Sequence, residues 1–110
     1  MKLIKCVLRE EKVGDATDAL EALHVSGVTV SRVVGRGTCE RQFSSYRLVK
    51  YEVKLMPKMM IDVVADDAIV DDVVRVLADS ARTGQAGDGR IFVMPVEEAY
   101  TIRTRQGGIA

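Results

Sequence analysis

Strand-forming and helix-forming patterns alternate in a fixed order along this chain, and the order occurs twice. LIKCVLR (Leu3–Arg9) is short and rich in strand formers. In VGDATDALEALH, Val13, Ala16, Leu20 and Leu23 fall on one helical face, with Asp15, Asp18 and Glu21 off it. Gly27 then precedes VTVSRVVGRG, a β-branched run that ends in Gly35 and Gly37. After an interval the pattern returns. MMIDVVA (Met59–Ala65) reads as a strand, and Asp66 or Asp67 is placed to cap a helix with Ile69, Val73, Val76, Leu77 and Ser80 on one side. IFVMPV (Ile91–Val96) is the last strand, with Pro95 suited to its end or to an edge.

Strand-helix-strand, repeated with right-handed crossovers, predicts an α+β ferredoxin-like βαββαβ sandwich of four antiparallel strands with both helices on one face. At 110 residues the chain has room for one domain with a modest core. The sheet face without helices should then alternate with polar residues if it meets water. It does not: Ile61 and Val63 point one way and Met60 and Val64 the other, while Ile91 and Val93 oppose Phe92, Met94 and Val96. Burying both faces needs more protein than two helices supply, so a homo-oligomer is expected. Between the halves, Thr38 to about Leu55 shows no sustained period. It reads as a long loop of the kind that is usually functional.

Several functions are excluded by what is missing. Sixteen basic and sixteen acidic residues cancel, leaving no global field for nucleic acid or an anionic membrane. Phe92 is the one aromatic on a predicted strand, too little for stacking single-stranded RNA. The chain has no asparagine, which an acylphosphatase-like enzyme would need to orient water, and no catalytic base is evident. Cys6 and Cys39 are too far apart for a metal-binding pair or a disulfide scaffold. The N-terminal MKLIKCVLREEK is interrupted by charge too early for a secretory leader, and no apolar run is long enough to span a bilayer. A soluble protein of a reducing cytoplasm is expected.

The remaining signals are local. Cys6 belongs to the first strand and to the core, while Cys39 lies in the long segment, open to a reactive or metal-binding role. His24 ends the first helix and suits its dipole better than it suits general-base work. Asp66, Asp67, Asp71 and Asp72 belong to a helix start and its solvent face. Gly84-Gln-Ala-Gly87-Asp-Gly89-Arg90 leaves a helix and enters a strand, which rules out a P-loop, whose phosphate meets a helix N-terminus. A plain turn and an anion nest flanked by Arg82 and Arg90 both fit these residues. Asp88 suits an anion site only if it holds the loop's own amides.

ARTGQAGDGRIFVMPVEEAYTIRT (Ala81–Thr104), with VTVSRVVGRG and YRLVKYEVKLMPK (Tyr46–Lys58), resembles the PII signal-transduction proteins along nearly the whole chain. The resemblance implies a homotrimeric ferredoxin-like regulator that binds ATP or ADP in clefts between subunits. It implies a T-loop at about 38–55, a phosphate-binding B-loop at about 82–90 and a C-terminal loop at about 98–110. Gly87, Asp88, Gly89 and Arg90 would follow the phosphates, with arginine where the family usually has lysine. Arg103 would reach phosphate from the neighbouring subunit. Thr29 and Val64 would contact adenine, Asp62 would take the place of a ribose-binding glutamate, and Gly35 and Gly37 would let the backbone pass close. The T-loop would contact a regulated transporter, enzyme or transcription regulator, with membrane contact only through a transporter. Tyr51 matches a tyrosine that some members carry as a modification site.

The main departures fall in one stretch. Where family members read GxGRQKGH, this chain reads GRGTCERQ. Cys39 replaces a glutamine that helps hold magnesium, and a thiol is a poor ligand for that hard cation. Glu40 brings negative charge where the family has positive. Lys58, the family's cation for 2-oxoglutarate, is retained, but Thr101 stands for a second phosphate-contacting arginine. Nucleotide sensing is expected, with magnesium and 2-oxoglutarate disfavoured. The rival within this fold is a metal-linked trimer resembling the divalent-cation tolerance proteins, anchored by Cys39.

Overall fold

The computed structural model describes residues 1–36, 39–44, 47–51 and 55–108, the side chains of 39–44 and 47–51 lying outside that description. The elements run β1 (Lys2–Leu8), α1 (Val13–Ala22), β2 (Val28–Gly35), β3 (Cys39–Ser44), β4 (Arg47–Tyr51), β5 (Met56–Ala65), α2 (Val70–Ala81) and β6 (Gly89–Pro95). A short 3-10 turn leads into each helix, at Glu10–Lys12 and Asp67–Ile69. Four strands form one antiparallel sheet in the order β2-β5-β1-β6, with β1 and β5 central. This is the ferredoxin-like sandwich that the repeated pattern predicts.

Alternation along the central strands sorts the two faces. Ile4 stands opposite Val63 and Cys6 opposite Ile61, and opposed residues share a face. These four, with Leu8 and Ala65, are buried against Ala16 and Leu20 of α1 and Val73, Leu77 and Ala81 of α2. Val13 and Leu23 pack beside them, as the helical spacing requires. The Cys6 thiol is in the core, and burial pushes its pKa up to about 11. Leu3, Val7, Met60, Val64, Phe92 and Met94 occupy the other, open face, in register across three strands.

The structure departs from the sequence pattern at four points. The segment expected as a loop at about 38–55 contains a two-stranded hairpin, β3 with β4, in which Glu40 stands opposite Lys50 and Cys39 opposite Tyr51. Mixed charge hid its period. β5 starts at Met56, before Pro57, because β1 ends opposite Met59 and β5 has β2 alone as neighbour beyond that point. No side chain caps α2: Asp67 instead receives the N-terminal ammonium at 2.7 Å, which lowers its pKa. α1 ends at Ala22, and His24 takes a left-handed φ of 57° with its N–H donated to the Glu21 carbonyl.

Leu77 is fully buried between α2 and the sheet. Leu77→Ala should lower unfolding stability by about 2–5 kcal/mol in urea titration; a loss under about 1 kcal/mol would contradict this packing.

Candidate functional site

The glycine loop between α2 and β6 is tied to itself by Asp88. Its Oδ2 accepts the Thr83 amide at 2.8 Å and the Gly84 amide at 2.9 Å. Its Oδ1 accepts the Thr83 hydroxyl and, at 3.1 Å, Arg9 Nε. The Thr83 hydroxyl and amide, followed by the Gly84 amide and Arg9, hold the Asp88 carboxyl well below the usual carboxylate range. The carboxylate therefore faces inward, as an anion site with an aspartate in its loop requires. Arg9 also donates Nη2 to the Ala86 carbonyl at 2.9 Å, and Lys58 donates Nζ to the Gly87 carbonyl.

These contacts shape a cleft of about 400 Å³ at one end of the open face. Gly35, Gly87, Gly89 and Arg90 line it together with Lys58, Arg9 and Arg36. Four cations converge there, with no carboxylate among the described lining residues. The space belongs to glycine for physical reasons. Gly87 has a φ of 96°, and a Cβ there would stand 3.2 Å from Arg9 Nη2 and 3.7 Å from Lys58 Nζ. Gly89 has a φ of 109°, and a Cβ there would lie 1.7 Å from the Val7 carbonyl oxygen.

Thr29, Asp62 and Val64 are not in that cleft. They line a second one, of about 430 Å³, with Leu3 and the C-terminal residues Ala99, Tyr100, Thr101 and Gly108. The C-terminal segment folds on itself through Thr101 N to Gln106 O at 2.9 Å, Arg105 N to Thr101 O at 2.7 Å and Gly108 N to Ala99 O at 2.9 Å. Arg103 is exposed on this segment and lines neither cleft. Gly37 lies outside the described residues, as do the side chains of Cys39 and Tyr51. Among the described residues no three metal-ligating side chains cluster, and no helix is long and apolar enough to cross a membrane.

Arg9 and Arg36 are the cleft cations that sequence patterns missed, and Arg9 is the one that ties the loop. It was readable only through register: Leu8 stands opposite Gly89, so the next residue of each strand, Arg9 and Asp88, must meet.

The family model described as nitrogen regulatory protein P-II matches residues 1–106. The chain belongs to the P-II family. It is 43% identical over 108 residues to nitrogen regulatory protein P-II 2 of Methanothermobacter thermautotrophicus, covering 98% of this chain and 94% of that one. It is 41% identical to P-II 1 of the same organism over the same shares. Nitrogen regulatory protein P-II of Azospirillum brasilense is 36% identical, with 98% and 96% covered. As a P-II protein the chain is a signal-transduction regulator of nitrogen control.

The Asp88 knot makes this P-II protein's loop sensitive to acid. A carboxyl with a depressed folded-state pKa contributes stability that is present above its unfolded value of ~3.9 and lost as pH falls through the folded value. Asp88→Asn should lower thermal stability at neutral pH and flatten the stability decline below about pH 4. Identical acid limbs for variant and parent would contradict the knot.

Proposed function

We propose that this P-II chain is a cytoplasmic, non-enzymatic homotrimeric regulator that binds ATP or ADP between subunits. The observation that carries the reading is the cation-lined glycine cleft around Gly87 and Gly89, set apart from the cleft holding Thr29, Asp62 and Val64. Phosphate suits the first, with Lys58, Arg90 and Arg9 as charge partners and backbone amides as donors. An adenosine suits the second, with an apolar wall at Val64 and polar groups at Thr29 and Asp62. Since the two clefts are separate within one chain, a single nucleotide would take its phosphate site from one copy and its nucleoside site from another. The apolar open face supports that pairing. So does Ile102, 96% exposed beside Arg103, which would carry this arginine to a neighbour's phosphates.

Segment 38–55, with its hairpin, would report the bound state to a regulated transporter, enzyme or transcription regulator. Nucleotide would act on it from Gly35 and Lys58, which flank that segment at the ends of β2 and β5. Thr38 and Cys39 stand for the family's arginine and glutamine, the Cys39 thiol offers magnesium little and Glu40 opposes a dicarboxylate, so the carbon signal would be weak or lost.

Calorimetric titration with ATP and ADP, each with and without magnesium and 2-oxoglutarate, tests this. Binding that 2-oxoglutarate leaves unchanged is expected, and Arg90→Ala should weaken it about tenfold. Absence of nucleotide binding would overturn the proposal, and strengthening by 2-oxoglutarate would restore the carbon-sensing role denied to these residues.

A further inference from the structure

An ion pair crosses the middle of the open face. Lys5 on β1 stands directly opposite Asp62 on β5, with Thr29 opposite Asp62 on the far side. Lys5 Nζ is 3.1 Å from Asp62 Oδ1, and the side chains are 32% and 28% exposed. Nζ also donates to Met60 Sδ at 3.4 Å. Asp62 Oδ1 is sealed from solvent and lacks a hydrogen bond of good geometry, so charge rather than a directed bond joins the two groups. Asp62 lines the second cleft, and Lys5 does not.

An uncancelled carboxylate in a nucleoside cleft would repel each phosphate carried by the same ligand. A carboxylate cancelled from behind keeps its acceptor lone pairs and loses that repulsion. We propose that Lys5 is a positioning residue of the nucleotide site: it neutralises Asp62, so that the cleft accepts a ribose hydroxyl without opposing a polyphosphate. This rests on the nucleotide reading above and adds a residue which that reading does not assign. The rival role, a pair that merely braces β1 against β5, would change the affinity of every adenine nucleotide by the same factor.

The experiment is titration of ATP, ADP and AMP into the full-length protein and its variants at low ionic strength. The ratio of ATP to AMP affinity is the readout. Lys5→Met strands the negative charge, and the ratio should fall about fivefold, or about twofold to threefold for each ligand charge. Asp62→Asn strands the positive charge, and the ratio should rise by about the same factor. The double variant, neutral again, should return to within about twofold of the parent ratio. If Lys5→Met does not fold, Asp62→Asn decides alone, since the charge it strands sits on a long, partly exposed side chain that water can reach, whereas Lys5→Met strands a sealed carboxylate oxygen. Ratios that stay fixed, or shift in the same direction in both single variants, overturn the role of Lys5 while leaving nucleotide binding intact. A parent protein that binds none of the three overturns the nucleotide reading and this inference with it.

Discussion

Gly89 approaches the Val7 carbonyl so closely that only hydrogen fits between them, and the geometry of the glycine cleft follows from that approach. It lets β6 begin opposite the last residue of β1, with Leu8 facing Gly89. Arg9 and Asp88 then meet just beyond the paired strands, and Asp88 gathers the Thr83 and Gly84 amides. The loop's carboxylate is thereby turned away from the cleft while Arg9, Lys58 and Arg90 border it. Charge of one sign is left facing the space. A backbone constraint at one residue thus produces an electrostatic property several residues wide.

The second organising feature is a sheet with one covered and one uncovered face. Both helices seal Ile4, Cys6, Leu8, Ile61 and Val63, whereas on the opposite face Leu3, Met60, Val64 and Met94 are only half-buried and Phe92 is exposed. The two clefts lie at different places on this surface, one at the glycine loop and one beside the C-terminal segment. In the proposed assembly the same contact would hide the apolar surface and complete the ligand site. Ligand affinity and subunit association would then be linked, each stabilising the other. The Lys5–Asp62 pair lies on the same face, with Asp62 lining the second cleft, and its neutrality suits both a desolvating contact and an anionic ligand.

Much of this was legible in residue order. The period change between β1 and α1, and again between β5 and α2, located the core down to Ala16, Leu20, Val73 and Leu77. The glycine loop carried the resemblance to the family that the chain belongs to, while its residues alone left a plain turn and an anion nest both open. The β3–β4 hairpin was not legible, because its apolar and charged residues follow no single period and Pro57 falls at the start of the strand that resumes. Asp67 offered a cap by its identity but lies in reach of the N-terminal ammonium, a contact between residues far apart in the chain. Arg9 carried no local motif. Its role depends on the β1–β6 register, and the separation of Thr29, Asp62 and Val64 from Gly87 likewise exists only in three dimensions.

The most direct test of the account is native mass spectrometry of the protein titrated with ATP, which reads assembly and ligand occupancy in one spectrum. A species of three chains that takes up to three nucleotides is expected, with single chains carrying none, because in the proposed assembly each chain would offer two unjoined half-sites. A single chain that holds ATP as firmly as the assembly does would contradict it, since both clefts would then serve one ligand without a second copy.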